Sequence, residues 1–136
     1  MKAIKFLGIL VVLMGTILAC SEQKVKNTEV ASVENNGGVE VYYFHNARRC
    51  ATCEAVEEQS ITALQEMYGN DIKLLVYNLE DKEGAGKAEA LDVSGQTLLV
   101  VSGSTKIDLT NEAFLYARTN PEKLKQTLKE NIDPLL

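Results

Sequence analysis

The chain has 136 residues, of which 46% are hydrophobic and 24% charged, which is the size and balance of one globular domain with additional segments at its ends. Lys and Arg number 14 against 19 Asp and Glu, so the formal net charge is -5. This acidic balance leaves no basic stripe to neutralise phosphates and argues against a nucleic-acid partner.

The first segment in chain order is typical of a bacterial secretory signal. Lys2 and Lys5 precede an apolar run over residues 6–18, which is too short for a stable membrane-spanning helix. Ala19 and Cys20 follow the run, and the letters ILAC over residues 17–20 resemble the lipobox of bacterial lipoproteins. Residues 1–19 are therefore predicted to be a lipoprotein signal peptide, and Cys20 to become the lipidated mature N-terminus. The alternative is a plain cleaved signal with an incidental cysteine.

Export and lipidation would leave Cys50 and Cys53 as the remaining cysteine pair, outside the cytoplasm, where no glutathione pool keeps thiols reduced.

Removal of residues 1–19 takes away two lysines and no acids, so the mature chain has 12 basic and 19 acidic residues and a net charge of -7. Membrane attachment would then depend on the lipid rather than on charge. We expect an extracytoplasmic, lipid-anchored protein of the bacterial cell envelope, with the choice between inner and outer membrane left open.

A polar stretch separates the predicted anchor from the predicted domain. Residues 20–38 lack apolar periodicity and end in two glycines, which predicts a lipidated N-terminus followed by a flexible tether. The folded domain is predicted over residues 39–136.

Strands and helices alternate in the predicted domain. The first half of the pattern predicts a strand over 39–45, a helix from about Ala51 to Tyr68 and a strand over 71–79 that is covered on both faces. A weak helical signal follows, carried by Ala88, Ala90 and Leu91. The second half predicts a hairpin of 96–103 and 105–110, a short helix over 111–118, and a last helix that starts at Pro121 with Asn120 as its N-cap. A helical crossover between the first two strands places them in parallel. The order predicts an α/β, thioredoxin-like fold with a central mixed β-sheet of about four strands flanked by helices.

Cys50 and Cys53 form a Cys-x-x-Cys pair at the predicted junction of the first strand and the first helix. The sulfur of Cys50 would face the unpaired N–H groups and positive end of that helix, and Arg48 and Arg49 add positive charge, so both effects favour the thiolate. Cys53, one turn later on the apolar face, is expected to be more buried. We therefore expect Cys50 to attack and Cys53 to resolve in thiol–disulfide exchange with protein thiols or disulfides, without a cofactor.

Three stretches carry a resemblance to a known family. VYYFHNARRCATCEAVE and, later, SGQTLLVV and DLTNEAFLYARTNPEK resemble the small thioredoxin-like proteins labelled the nitrophenyl compound nitroreductase subunit ArsF family. The resemblance extends over residues 39–132 and implies a thioredoxin-like fold with its Cys-x-x-Cys site at Cys50 and Cys53. It does not imply nitroreductase chemistry, because no G-x-G-x-x-G motif occurs in the chain.

One position departs from the thioredoxin pattern. Thioredoxins have a cis-proline just before the third strand, packed against the active-site sulfurs, whereas here Gln96 precedes Thr97. A cis bond before a residue other than proline costs about 2.5–4 kcal/mol, so we expect a trans bond at Gln96. The loop that faces the cysteines should therefore differ in shape from that of thioredoxins.

Other interpretations of the pair remain open at this point. Cys50 and Cys53 could bind a soft ion such as Cu(I) or As(III), with His45 as a third ligand, although the neighbouring arginines repel cations. His45 could equally be a strand-end residue that hydrogen-bonds to a backbone group. The pair could also be a structural disulfide, or belong to a non-catalytic accessory subunit of a membrane or redox complex.

Overall fold

The computed structural model describes residues 37–136. The predicted signal peptide, the lipidated Cys20 and the tether up to residue 36 lie outside the described residues, so they stay predictions. None of the helices between residues 37 and 136 has the length and hydropathy that a bilayer crossing requires.

The elements follow the predicted order. The strands are β1 (Val39–His45), β2 (Leu74–Asn78), β3 (Thr97–Ser102) and β4 (Thr105–Asp108), and the helices are α1 (Ala51–Tyr68), α2 (Lys82–Ala90), α3 (Thr110–Tyr116) and α4 (Pro121–Ile132), followed by a 3-10 turn over Asp133–Leu135. The weak helical signal thus corresponds to α2. Asn120 caps α4, because its side-chain oxygen accepts a hydrogen bond from the Lys123 N–H at 3.1 Å.

The four strands form one mixed sheet in the order β2-β1-β3-β4. β1 pairs in parallel with β2, which the crossover through α1 makes possible, and pairs antiparallel with β3. β3 and β4 form the predicted antiparallel hairpin, and Gly103 takes a φ of 56° at its turn. The predicted α/β fold with a mixed sheet of four strands is confirmed.

Both faces of the sheet are covered, so β1 is buried on both sides. One face packs against α1, α3 and α4 in a cluster that includes Val41, Tyr43, Val56, Leu64, Leu98, Val100, Leu124, Leu128 and Ile132. The other face packs against α2 in a smaller cluster of Tyr42, Phe44, Ala88, Leu91, Leu99 and Val101. Successive residues of a strand point to opposite faces, which is why neighbouring aromatic residues of β1 belong to different clusters.

The prediction for the second strand is confirmed in part. The apolar run over 71–79 predicted a strand covered on both faces, and Leu74 packs against the cluster on one face of the sheet while Leu75 and Tyr77 pack against the cluster on the other. The cover is incomplete, because β2 lies at the edge of the sheet and its residues are half-buried or exposed. Val76, in the middle of β2, is 37% exposed. Ile72, which belongs to the same run, is buried before the strand begins and so accounts for part of the apolar signal.

The packing of α2 against the end of β2 depends on a glycine. A Cβ atom placed on Gly84 would lie 1.9 Å from the backbone oxygen of Asn78, which is far closer than real Cβ atoms come. The Gly84 N–H also donates to the side chain of Asp81, the N-cap of α2, at 2.7 Å. Only a residue without a side chain allows this close approach.

We expect Gly84→Ala to lower the free energy of unfolding by about 3 kcal/mol, because α2 must move away from β2. Gly86→Ala is the matched control: it lies in the same helix with nothing within 4 Å of its added Cβ, and should raise stability by about 0.5–1 kcal/mol. Urea unfolding of the two variants measures the difference. Equal stabilities would contradict the close packing.

Candidate functional site

The two cysteines lie where the loop after β1 enters α1. Cys50 is exposed and Cys53 is buried, with 3% of its surface accessible. Both are free thiols, and their Sγ atoms are in direct contact. The pair therefore has the difference in exposure that the sequence predicts, with the two sulfurs adjacent to each other.

Cys50 is the N-cap residue of α1. Its backbone is extended, with φ -100° and ψ 164°, and its Sγ accepts a hydrogen bond from the Cys53 N–H at 3.3 Å. An N-cap acceptor satisfies one of the N–H groups that the first turn of a helix leaves unpaired. The sulfur takes the place that a Ser or Asp oxygen usually occupies, at the positive end of the helix dipole.

Hydrogen bonds lower the pKa of Cys50. The largest contribution comes from the thiol of Cys53, and backbone N–H groups of the first turn, including those of Cys53 and Thr52, add to it. Each of these donors stabilises the thiolate more than the thiol. Cys50 is thus the more acidic and the more accessible sulfur of the pair.

The pKa of Cys53 shifts in the opposite direction. Burial raises it, because a thiolate is poorly solvated there, and the hydrogen bond to Cys50 raises it further. The pKa of Cys50 therefore lies below that of Cys53, so the thiolate forms on Cys50 first while Cys53 keeps its proton. This is the charge state that an attacking thiol with a resolving partner requires.

The loop before β3 brings Gln96 to the buried sulfur. The thiol of Cys53 donates to Oε1 of Gln96 at 3.3 Å, across 43 positions in the sequence. Residues 37–136 contain no cis peptide bond, so the predicted trans bond at Gln96 is confirmed. The hydroxyl of Thr97, the other predicted loop residue, donates to the backbone oxygen of Gly95 at 3.0 Å and so acts within the loop.

The two arginines before Cys50 are placed differently. Arg48 is exposed, whereas Arg49 is half-buried and forms an ion pair with Glu57 through Nη2 and Oε2. The buried Nε of Arg49 has no hydrogen-bond partner. Glu57 therefore offsets much of the positive charge that the sequence places beside Cys50, and the hydrogen bonds described above are the causes that lower the pKa of that thiol.

His45 ends β1 and bonds to the backbone. Its Nδ1 lies 2.8 Å from the carbonyl oxygen of Asn46, so in the neutral ring Nδ1 carries the proton and donates. Among the residues that the structure describes, no group of three His, Cys, Asp or Glu side chains could hold a metal ion. The structure thus does not bring His45 together with Cys50 and Cys53 as a third ligand.

Sequence reasoning missed three residues that support the pair. The buried hydroxyl of Tyr43 donates to the backbone oxygen of Cys53 at 3.0 Å, and burial raises the pKa of this phenol. Oε1 of Glu80 accepts from the Ala47 N–H at 2.8 Å and fixes the loop before Cys50. Glu57 is the third, through its ion pair. The sequence could have indicated Glu57, because it is an acidic residue one helical turn after Cys53. No neighbouring residue in the sequence indicates that Glu80 contacts the loop before Cys50.

The acidity of Cys50 should depend on the thiol at position 53. Cys53→Ala removes the strongest hydrogen-bond donor and should raise the pKa of Cys50, whereas Cys53→Ser retains a donor and should raise it less. The rate of alkylation of Cys50 against pH, followed by peptide mass spectrometry, measures the pKa in each protein. Identical profiles in the wild type and both variants would show that the thiol of Cys53 does not lower the pKa of Cys50.

Comparisons with known proteins agree with this architecture. Thioredoxin O2 from Arabidopsis thaliana in its oxidised state superposes with a TM-score of 0.52 and 18% identity, over 71% of this chain and 76% of that one. Trxlp from Edwardsiella tarda gives a TM-score of 0.51 and 17% identity, over 69% of this chain and 84% of that one. No family model matches the chain, and no curated protein matches it. At these identities the similarity concerns the fold alone, and the domain has the thioredoxin-like fold.

Proposed function

We propose that this protein is a thiol–disulfide exchange protein whose substrates are protein thiols or disulfides. The observation that carries the proposal is the position of the Cys50 sulfur. It is exposed, caps the N-terminus of α1 and accepts hydrogen bonds that lower its pKa, while the adjacent Cys53 is buried and keeps its proton. A structural disulfide would require neither the exposed sulfur nor the difference in acidity.

The exchange proceeds through a mixed disulfide. The Cys50 thiolate attacks one sulfur of a substrate disulfide, the substrate S–S bond breaks, and the released thiolate takes a proton from water. Cys53 then loses its proton to solvent and attacks Sγ of Cys50, which releases the second substrate thiolate and closes the Cys50–Cys53 disulfide. The dithiol has lost two electrons and the substrate has gained them. The reverse sequence oxidises a substrate dithiol, and the reduction potential of the pair decides the direction.

The geometry suits both half-reactions. The accessible sulfur of Cys50 can attack a substrate at the protein surface, and Cys53 lies one helical turn later in α1, where it is buried. Hydrogen bonds from Tyr43 to the Cys53 carbonyl and from Ala47 to Glu80 hold the first turn and the loop on either side of Cys50. The electrons move within sulfur–sulfur bonds, so the reaction needs no further cofactor.

We also propose a cellular location and a family for this protein. The signal over residues 1–19, the lipobox that ends at Cys20 and the polar tether support a lipid-anchored, extracytoplasmic protein of the bacterial cell envelope. The stretch VYYFHNARRCATCEAVE supports membership in the nitrophenyl compound nitroreductase subunit ArsF family. An oxidising compartment would also allow the Cys50–Cys53 disulfide to persist between reaction cycles.

Mixing the full-length Cys53→Ser variant with a protein disulfide should trap a mixed disulfide, because the resolving thiol is absent. Mass spectrometry should locate the bond at Cys50. Cys50→Ser is the matched control and should trap at least tenfold less, since the thiol that remains is buried. No trapping by the Cys53→Ser variant, together with Cu(I) uptake that is lost in the double cysteine variant, would contradict the exchange function.

The lipid anchor has a separate test in a bacterial host. The full-length chain should incorporate a labelled fatty acid and sediment with membranes, whereas Cys20→Ser should do neither, because the acylated thiol is gone. Fractionation and label incorporation measure both properties. Label in the Cys20→Ser variant, or none in the wild type, would contradict lipidation at this position.

A further inference from the structure

The single proton of the Cys53 thiol has two acceptors within reach. Sγ of Cys50 is in direct contact with it, and Oε1 of Gln96 lies 3.3 Å away. A thiol has one hydrogen and donates one such bond at a time. When Cys50 of the dithiol is deprotonated, it is the charged acceptor of the two, so it takes the stronger hydrogen bond.

Covalent attachment of a substrate changes this competition. In the mixed disulfide, Sγ of Cys50 is bonded to the substrate sulfur and is no longer an anion, so it accepts hydrogen bonds only weakly. Gln96 Oε1, a neutral amide oxygen, then becomes the better acceptor for the Cys53 proton.

We propose that Gln96 controls the resolving step, because its side-chain oxygen holds the Cys53 thiol in the mixed disulfide and thereby lengthens the life of that intermediate. The inference deepens the proposed exchange function and depends on it. An amide oxygen does not take up a proton at neutral pH, so Gln96 can delay the deprotonation of Cys53 but cannot perform it. The proton leaves to solvent, the Cys53 thiolate attacks Sγ of Cys50, and the substrate thiolate departs.

The backbone holds Gln96 in position for this role. The next residue, Thr97, pairs with Phe44 at the start of β3, and its hydroxyl donates to the Gly95 oxygen on the other side of Gln96. Gln96 itself is half-buried. The side chain thus extends from a loop that is tied to the central strand, and its contact with Cys53 does not depend on a mobile segment.

Few charged groups face Cys53, so its hydrogen bond to Gln96 should have a measurable effect on the acidity of the Cys53 thiol. Cys50 approaches it from the N-terminus of α1, and Tyr43 approaches from β1. The Arg49 and Glu57 side chains, which pair with each other, lie close enough to Tyr43 to influence its pKa. The loop before β3 contributes the uncharged Gln96. A change at Gln96 therefore alters the acceptor without changing a charge, unless the new residue carries one.

Two substitutions with opposite expected signs test the proposal in the full-length chain. Gln96→Met has a similar size but only a weak thioether acceptor, so Cys53 should become more acidic, whereas Gln96→Glu adds an anionic acceptor and should make it less acidic. Measured in a Cys50→Ala background by alkylation of Cys53 against pH, Gln96→Met should increase the thiolate fraction about three- to fivefold. Gln65→Met, an exposed position on α1, is the matched control and should change nothing.

The lifetime of the intermediate is measured with Cys50 and Cys53 intact, using an aromatic disulfide as the substrate and acid-quenched peptide mapping to follow the mixed disulfide at Cys50. The mixed disulfide should disappear about twofold faster in Gln96→Met, because a more acidic thiol is also a weaker nucleophile, and more slowly in Gln96→Glu. General damage to the site would change both variants in the same direction, and this outcome would overturn the proposal.

Two further outcomes separate this inference from the proposed function. If mixed disulfides form at Cys50 but neither the acidity of Cys53 nor their lifetime responds to Gln96, the exchange function stands and the role of Gln96 is overturned. If the acidity of Cys53 responds as expected but no mixed disulfide forms with any disulfide probe, the exchange function fails and the role of Gln96 in the resolving step fails with it. A less acidic Cys53 in Gln96→Met would show that the amide donates to the sulfur, which also overturns the proposal.

Discussion

The burial of β1 on both faces is the constraint on which the rest of the structure depends. β1 has a strand on each side and a layer of helices above and below, so its side chains contribute to both apolar clusters. A strand enclosed in this way has little freedom to shift, because a slip of one residue would exchange the side chains of its two faces. The end of β1 at His45 is therefore a fixed point, and the short loop that follows delivers Cys50 to the start of α1.

The chemistry of the pair follows from where that loop ends. The first turn of any helix has N–H groups without partners, and here the sulfur of Cys50 accepts one of them. Three residues further on, the helix has turned its apolar face toward the sheet and Cys53 is buried. One turn of helix thus gives two identical side chains opposite shifts in pKa, lowered at Cys50 by hydrogen bonds and raised at Cys53 by burial. The difference arises from position alone.

Distant segments complete this local arrangement. Gln96 reaches Cys53 from the loop before β3, and Glu80 reaches the loop before Cys50 from the end of β2. Both segments adjoin β1 through its strand neighbours, so the order of the sheet decides which side chains meet the cysteines. Gln96 has a polar side chain against the buried sulfur, so the resolving thiol has a hydrogen-bond acceptor besides its partner.

Short-range patterns in the amino-acid sequence were enough to predict the Cys-x-x-Cys pair at a strand–helix junction, the bounds of α1, the Asn120 cap and the β3–β4 hairpin. Capping, periodicity and turn formation involve residues a few positions apart, so their signals are complete within a short stretch. The edge position of β2, the pairing of Arg49 with Glu57 and the contact between Gln96 and Cys53 came from the folded protein. These features depend on which segments pack together, and the pairing of β3 with β1 brings residues 43 positions apart within hydrogen-bond distance.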